Sequence, residues 1–292
     1  MTYFVVCISA FLAAFNAFGG ESFLAKKKEP IYYKDEYSDV VPALSKEPIV
    51  IDENYKYYHT SFIKKLTHFF WLRIVFTPIA FLYSKIAHHH KIVNKKLLKN
   101  FKHTGYFMYA NHTQEIGDAF MPHFLNFPKE DFFIIHPDNL ALPFLGRLLP
   151  TLGGIPLPSN AKAFKNFNDV IEKRIRERKC VIVYPEAHVW PYYTGIRPFN
   201  DTSFAYPLKY DVPTFCFTNT YQKRRFTKKP KIVTYIDGPF YANPDLSPKE
   251  QRRHLQEQVY ECMCERSKNS SVTFIEYIKS NGENAQKEEN EQ

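Results

Sequence analysis

The sequence predicts an α/β fold, because short apolar segments alternate with amphipathic ones along much of the chain. The segments that predict strands are rich in aromatic and β-branched residues and occupy residues 105–110, 131–135, 180–184, 212–217 and 231–236. Residues 161–178 predict a helix, since Phe164, Phe167, Ile171 and Ile175 recur at helical spacing. Strands that alternate with helices form layered folds in which helices cover a sheet.

A second helix is predicted to begin after Ser247. That serine is a good N-cap, Pro248 suits the first helical turn, and Glu250 stands at the capping-box position. We expect this helix to run to residue 279 and the polar tail 281–292 to be disordered.

The length of 292 residues is enough for one sizeable core with appendages. We divide the chain into an N-terminal apolar and irregular region (1–60), membrane-interface helices (61–100), a main domain (101–280) and the tail. A formal charge of +9 with 17% aromatic residues favours an anionic membrane surface or anionic substrates. Nucleic acid is not expected as a partner, because the sequence contains no zinc-finger, RNP or basic-zipper pattern.

The five cysteines are odd in number and unevenly spaced, so they predict no disulfide framework and fit a reducing compartment. Cys262 and Cys264 are too closely spaced and too isolated for a zinc site, and we expect them to be ordinary helix positions. We therefore expect neither a metal nor an organic cofactor.

The N-terminus is apolar over residues 1–18 but lacks the positive residues that precede the apolar core of a signal peptide. A short membrane span and a shallow insertion both fit its length of about 17 residues. Lysines at 26–28 follow it, and the positive-inside tendency would leave the rest of the chain in the cytoplasm. Residues 29–59 have no steady period and contain three prolines, which predicts an irregular segment that wraps around the domain.

Residues 69–86 form the most lipid-like stretch after the N-terminus. Arg73 and Lys85 lie inside it and Pro78 interrupts it, so two short helices in the membrane interface fit better than one span. A buried helix packed on the domain is the alternative. The three histidines at 88–90 are expected to form a solvated helix end, because three consecutive positions cannot all face one metal.

A histidine and a carboxylate follow the predicted strand 105–110. His112 can take a proton from a hydroxyl near neutral pH, and Asp118 can hold the ring in one tautomer and stabilise its cation. Because no serine or cysteine nucleophile is adjacent, the pair favours direct attack by a substrate hydroxyl over a covalent intermediate. The alternative is a structural role, with the histidine capping a turn and the aspartate near a helix start.

Two further segments accompany this pair. Glu186 follows the strand predicted at 180–184, where ligands of open α/β sheets gather. We expect it to bind a substrate hydroxyl or to fix the neighbouring backbone, unless it is a plain helix-start carboxylate. Residues 153–158, GGIPLP, predict a glycine turn that leads into a short extended piece.

In this order the segments resemble the motifs of the PlsC-like glycerolipid acyltransferase family, through Asn111-His112 with Asp118, residues 153–158, Tyr184-Pro185-Glu186, and Val212-Pro213. The resemblance implies a mixed sheet flanked by helices, with N-terminal membrane-interface helices. It implies transfer of a fatty acyl group from acyl-CoA, acyl carrier protein or a similar donor to a lysophospholipid or glycerol-phosphate hydroxyl at a membrane. His112 would be the base, Asp118 would orient it, and Gly154 and Glu186 would contact substrate.

The first motif departs from the family pattern in its spacing. His112 and Asp118 enclose five residues where the family has four. We expect Gly117 to absorb the extra residue through an unusual backbone conformation. If it does not, Glu115 is the other candidate partner of the histidine.

The second and third motifs also depart from the pattern. Ala187 stands where the family has glycine, and the arginines expected near both motifs are absent. Lys162, Lys165 and Arg197 are therefore the candidates to bind an acceptor phosphate. These departures keep open a non-catalytic lipid-binding protein on the same fold. A lipid-ester hydrolase would need an activated nucleophile, and the sequence has no G-x-S-x-G turn.

Overall fold

The computed structural model describes residues 29–37, 49–57, 61–114, 117–142, 145–225, 227 and 229–280. The expectations for residues 1–18, for Glu115 and for the tail 281–292 fall outside these residues.

A seven-stranded mixed sheet forms the centre of the fold, in the order β2-β8-β7-β3-β6-β4-β5. Neighbouring strands run parallel except β7 and β8, which are antiparallel. A separate pair of parallel strands joins β1 to β9. The strands are β1 Ile31–Tyr33, β2 Lys91–Val93, β3 Tyr106–Ala110, β4 Asp131–Ile135, β5 Gly154–Pro156, β6 Cys180–Val183, β7 Thr214–Gln222, β8 Lys231–Phe240 and β9 Tyr277–Lys279.

Helices cover both faces of this sheet. They are α1 Phe62–Phe69, α2 Thr77–His88, α3 Gly117–Phe120, α4 Pro122–Leu125, α5 Leu145–Leu148, α6 Phe164–Arg176, α7 Ala205–Tyr210 and α8 Pro248–Ser267. A π-helical stretch, Phe70–Phe76, joins α1 to α2. Short 3₁₀ helices occupy Lys95–Phe101, Pro137–Ala141 and Thr202–Phe204.

Strand β3 shows how the two layers form. Its alternate residues Tyr106, Met108 and Ala110 pack in one core with the π stretch, α2 and α4. Phe107 and Tyr109 point to the other face, where α6 and α8 complete a second core. A strand buried on both faces reads as a continuous apolar run, which is how 105–110 appears in the sequence. The predicted mixed sheet flanked by helices is confirmed.

The five predicted strands are all present. Their starts agree with the prediction to within two residues, but β7 continues to Gln222 and β8 to Phe240. The extension has a physical cause, because the two strands form one long antiparallel ladder in which the end of β7 pairs with the start of β8 and the end of β8 pairs with the start of β7. Polar residues such as Asn219 in β7 and Asp237 in β8 interrupt the apolar pattern beyond the predicted ends, so the sequence signal ends before the strands do.

The helix after Ser247 begins as predicted, with both hydrogen bonds of the capping box between Ser247 and Glu250. The prediction that it runs to residue 279 is wrong, since α8 ends at Ser267. Beyond the helix, Ser271 donates its backbone N–H to the carbonyl of Tyr221, and this hydrogen bond holds the non-helical segment next to the end of β7. Serine and asparagine compete with a helix for backbone hydrogen bonds, which explains the stop.

The prediction of two short helices broken at Pro78 is also wrong, because the backbone is helical without interruption from Phe62 to His88. Pro78 sits in the first turn of α2, directly after the π-helical stretch. Inside a regular helix the proline ring clashes with the carbonyl of the preceding turn. Pro78 avoids this clash because it lies in the first turn of α2 and because the π-helical turn before it is wider. Within this segment, Lys65–Ile86 is long and apolar enough to cross a membrane, with a mean hydropathy of 1.4.

The histidines at 88–90 do not form a solvated helix end. His88 and His90 are 4% and 2% exposed, and only His89 faces solvent, in a left-handed conformation that ends α2. His90 turns back under the helix, where Nδ1 lies 2.9 Å from Ser84 Oγ and Nε2 lies 2.6 Å from Thr234 Oγ1.

Candidate active site

The candidate site lies where β3 and β6 end. His112 is two residues beyond β3, and Tyr184 and Glu186 follow β6, the parallel neighbour of β3. Parallel neighbours bring their carboxyl ends to one edge of the sheet, so these side chains converge. The His112 ring stacks on Tyr184 at 4.5 Å between centroids, and the His112 backbone N–H donates to Glu186 Oε2 at 3.3 Å.

His112 and Asp118 form a direct pair. His112 Nδ1 lies 2.8 Å from Asp118 Oδ2, so the ring nitrogen that faces the carboxylate is Nδ1. The imidazole is 19% exposed whereas the carboxylate is buried. Among the described residues Nε2 has no hydrogen-bond partner, which leaves that nitrogen available at the surface of the site.

Asp118 is held by several donors despite its burial. Oδ2 also accepts the backbone N–H of Gln114 at 2.9 Å, and Oδ1 lies 3.4 Å from Asn219 Nδ2. Burial raises the pKa of Asp118, while the hydrogen bonds from His112 and Gln114 oppose that rise. The carboxylate is thus fixed in position and supplied with donors.

The spacing of five residues between His112 and Asp118 is compatible with this contact. The expectation that Gly117 adopts an unusual backbone is wrong, since it begins α3 and lies outside the positive-φ positions of the described chain. A side chain at 117 would instead meet Gln114, whose Cβ is 2.9 Å from the place of an added Cβ. Close packing against Gln114 is therefore what requires glycine here.

Glu186 and Arg197 form a buried pair behind the histidine. Arg197 Nη2 lies 3.5 Å from Glu186 Oε2, both side chains are fully buried, and the Arg197 backbone N–H donates to Oε1 at 3.3 Å. Arg197 also donates to the carbonyl of His188 and lies over the ring of Trp190 at 4.8 Å. Burial raises the pKa of Glu186 to about 7, and the nearby positive charge of Arg197 opposes this.

The loop after β6 is tied to the histidine segment through its backbone. Trp190 N–H donates to the carbonyl of His112 at 2.9 Å, and Tyr192 N–H donates to that of Thr113 at 3.0 Å. Ala187, at the position where the family has glycine, has a φ of 66°. A left-handed conformation costs a residue with a Cβ about 1 kcal/mol or more, so glycine would suit this turn better.

The remaining predicted substrate contacts lie elsewhere on the sheet. Gly154 is buried in β5, where an added Cβ would be 2.9 Å from the carbonyl oxygen of Leu149. Lys162 and Lys165 are exposed, before and at the start of α6, and Lys165 pairs with Asp169 at 3.2 Å. The helix begins at Phe164 and not near Ala161. Because β5 is three strand spacings from β3, about 14 Å, Gly154 lies away from His112. Among the described residues, the ion pair of Lys165 goes to Asp169 and not to the His112 site. Their roles in substrate binding stay predictions.

Several contacts around Asp118 were not predicted from the sequence. Asn219 on β7 exchanges two hydrogen bonds with the side chain of Asn111, at 2.8 and 3.0 Å, and Tyr184 donates its hydroxyl to the Asp118 carbonyl at 2.6 Å. Tyr221 accepts from Gln114 and donates to Thr113. The polar Asn219 inside the aromatic strand TFCFTNTYQ is the sequence signal that could have pointed to this contact.

A second polar cluster lies on the opposite side of β7. Ligand atoms of Cys216, Asp237 and Cys262 lie within 4.8 Å of one another. Arg266 donates to both Asp237 oxygens, at 2.8 and 2.5 Å, so the carboxylate is already engaged by a positive charge. Cys262 is half-buried on α8, as expected for a helix position, and faces Cys216 at 3.9 Å between sulfurs.

Comparisons with known proteins concern the family and the fold. Residues 90–217 match the Acyltransferase family model. The fold is similar to the crystal structure of PlsC, the 1-acyl-sn-glycerophosphate (LPA) acyltransferase from Thermotoga maritima, with a TM-score of 0.50 and 17% sequence identity. The match covers 72% of this chain and 85% of that one. A search of curated protein sequences gave no match.

The family match spans the segments that build the candidate site from the His90 region to β7, and it includes His112, Asp118 and Glu186. The structural match extends the likeness to the mixed sheet and its covering helices. Residues 90–217 of this chain therefore match the Acyltransferase family, and the chain has the PlsC acyltransferase fold.

Proposed function

We propose that this protein is an O-acyltransferase that moves a fatty acyl group from an acyl thioester to the hydroxyl of a lysophospholipid or glycerol-phosphate-type acceptor. The observation that carries the proposal is the contact of 2.8 Å between His112 Nδ1 and Asp118 Oδ2, which leaves Nε2 without a partner among the described residues. A histidine oriented in this way is what base-assisted attack by a hydroxyl requires.

The proposed reaction uses His112 twice. Nε2 accepts the proton of the acceptor hydroxyl as its oxygen bonds to the thioester carbonyl carbon. Asp118 stabilises the imidazolium that forms. The tetrahedral intermediate then collapses, the carbon–sulfur bond breaks, and the thiolate receives the proton from Nε2. The products are an ester and a free thiol, and the base is regenerated without a covalent enzyme intermediate.

The donor and acceptor are the finer part of the proposal. Acyl-CoA and acyl carrier protein both present the thioester that this chemistry needs. The Thermotoga maritima protein is a 1-acyl-sn-glycerophosphate acyltransferase, and a phosphorylated acceptor here would need cations to meet its charge. Lys162 and Lys165 are exposed and thus available for that role.

Product analysis tests the proposed function. Purified protein is incubated with labelled oleoyl-CoA and, separately, lysophosphatidic acid, lysophosphatidylcholine, glycerol 3-phosphate and a monoacylglycerol, and products are read by mass spectrometry. We expect ester formation equal to thiol release with at least one acceptor. Lipid binding without ester would favour the non-catalytic lipid-binding protein, and thiol release without ester would indicate hydrolysis. Lys162→Ala and Lys165→Ala in the same assay show whether a phosphorylated acceptor depends on these cations more than the monoacylglycerol does.

We also propose that the helical segment from Phe62 to His88 holds the protein on a membrane. Its buried side, with Leu72, Val75, Phe76 and Ala80, packs on the sheet. Its other side carries exposed apolar residues along its whole length: Phe62, Ile63, Leu66, Phe69, Phe70, Ile74, Phe81, Leu82 and Ile86. An exposed apolar stripe of this size with flanking basic residues is typical of a membrane contact. One helix that both packs on the domain and faces lipid combines the two alternatives predicted for 69–86.

Vesicle flotation tests this contact. With vesicles of phosphatidylcholine and phosphatidylserine, Phe70→Glu with Phe81→Glu should lower the partition coefficient more than about tenfold, because two inserted aromatic rings become charged groups. Tyr241→Glu is the control, since Tyr241 is at least as exposed as Phe70 and Phe81 but lies outside the stripe. Removal of residues 1–28 should leave much of the binding. If that deletion abolishes flotation while the double substitution does not, the membrane contact lies in the N-terminal segment.

A further inference from the structure

A continuous chain of hydrogen bonds runs from helix α2 to the carboxylate of Asp118. Ser84 Oγ lies 2.9 Å from His90 Nδ1, and His90 Nε2 lies 2.6 Å from Thr234 Oγ1. Thr234 Oγ1 lies 2.6 Å from Asn219 Oδ1, and Asn219 Nδ2 lies 3.4 Å from Asp118 Oδ1. All five residues are buried, with at most 3% of each side chain exposed. The chain therefore crosses the core and connects α2, β8 and β7 to the base of the His112 pair.

The chemistry of the groups fixes which way each hydrogen points. An ionised Asp118 only accepts, so Asn219 presents its NH₂ group to it and its carbonyl oxygen to Thr234. Thr234 then donates its one hydroxyl hydrogen to the side-chain carbonyl oxygen of Asn219. It must accept from His90, which is therefore protonated at Nε2. His90 Nδ1 in turn accepts from the hydroxyl of Ser84. Every donor in the chain points toward Asp118.

Two other features keep this order in place. Burial lowers the pKa of His90 to about 3, with a smaller effect of Lys85, so the ring is neutral and offers one donor and one acceptor. The side chain of Asn111 binds both the backbone N–H and the backbone carbonyl of Asn219, which fixes the point from which the Asn219 side chain reaches Asp118. Aligned hydrogen bonds polarise one another in a low-dielectric core, and a buried carboxylate depends on such donors to stay ionised.

The geometry points to His90, Thr234 and Asn219 as positioning residues of the acyl-transfer reaction, which act through Asp118 by holding it ionised and oriented toward His112. This inference rests on the proposed function. None of the three touches substrate, and Thr234 is the best place to interrupt the chain, because its hydroxyl both accepts from His90 and donates to Asn219.

The test measures acyl transfer from oleoyl-CoA to whichever acceptor in the panel gives ester. Thr234→Val keeps the shape of the side chain but interrupts the series of hydrogen bonds. It should lower kcat roughly tenfold, which is about the contribution of one buried hydrogen bond, and leave KM unchanged. Thr234→Ser keeps the hydroxyl and should restore kcat. Thr220→Val is the matched control. It removes a buried hydroxyl on the opposite face of β7 that donates only to the carbonyl of Val233, so kcat should stay at the wild-type value.

Two further variants separate positioning from general damage. His90→Phe keeps the ring contact with Phe124, at 5.5 Å between centroids, but has no N–H, and should lower kcat as Thr234→Val does. In an Asp118→Asn background Thr234→Val should have no further effect, because the chain acts only through that carboxylate.

The outcomes are distinguishable. Wild-type kcat in folded Thr234→Val and His90→Phe proteins overturns the inference, as does a Thr234→Val effect that persists unchanged in the Asp118→Asn background. Equal losses in Thr234→Val, Thr234→Ser and Thr220→Val would indicate structural damage only and also overturn it. If wild type makes no ester, or if His112→Ala is fully active, the proposed function fails and this inference falls with it.

Discussion

A His112→Ala protein is expected to fold normally and to transfer acyl groups roughly 10²- to 10⁴-fold more slowly than wild type, the usual worth of a positioned general base. The loss should appear in kcat, because the interaction that is removed develops as the hydroxyl proton moves. Folding should survive, since the ring lies at a strand end and is partly exposed. Steady-state kinetics with thermal unfolding of the same samples measures both.

The chain offers a matched control for this change. His136 follows β4 just as His112 follows β3, and its Nδ1 lies 3.5 Å from Asp138, but the pair is much more exposed. His136→Ala should leave turnover near wild type. Asp118→Asn should impair turnover about as much as His112→Ala, because a neutral amide cannot stabilise the imidazolium. Normal turnover in a folded His112→Ala protein would rule out the histidine as base.

Arg197→Ala is expected to lower the free energy of unfolding by about 3 to 5 kcal/mol, because it leaves the carboxylate of Glu186 buried without its positive partner. The same change removes the packing of the guanidinium over Trp190 and its hydrogen bond to His188. Chemical denaturation followed by tryptophan fluorescence measures the difference. This effect is separate from the predicted phosphate contact, since the Arg197 side chain is fully buried.

The pH dependence identifies the cause. The pKa of Glu186 in the folded protein, about 7, already exceeds its ordinary value of 4.5, so wild type loses stability as the pH rises between these values. Without Arg197 the folded pKa rises further, and the variant keeps losing stability above pH 7 where wild type no longer does. The difference should thus be larger near about pH 9 than near about pH 6. Arg197→Met with Glu186→Gln should recover part of the loss, whereas a loss independent of pH would point to packing alone.

Local patterns predicted the elements that depend on neighbouring residues. The buried strands, the capping box at Ser247 and the apolar face of α6 each depend on residues that lie within a few positions of one another in the sequence. The π-helical stretch was not predicted, because it is defined by backbone hydrogen bonds that the spacing of apolar residues does not reveal. For the same reason the sequence did not show that Pro78 could follow it without breaking the helix.

Contacts between distant positions set the limit of prediction at the candidate site. His112 and Asp118 were paired from the sequence because they are close in it and follow a strand. The hydrogen-bond chain that leads to Asp118 was not predicted, since its members His90 and Thr234 are 144 positions apart and Asn219 is one polar residue in an apolar strand. Arg197 was predicted as a candidate phosphate ligand and not as the buried partner of Glu186, because its burial depends on how the loop after β6 folds back.

The small sheet formed by β1 and β9 has a consequence for how the molecule folds. It joins parts of the chain that are 247 positions apart at the contact between Ser280 and Tyr33, so its closure carries a large loop entropy and should come late. The same pair should open early on partial unfolding, and its amides should exchange hydrogen before those of β3. Tyr277 of β9 stacks on Trp190 at 4.8 Å, and Trp190 donates its backbone N–H to His112. The contacts that form last are thus those that hold the loop after β6 against His112. A chain in which β1 and β9 have not yet paired would already contain the seven-stranded sheet but not a completed site.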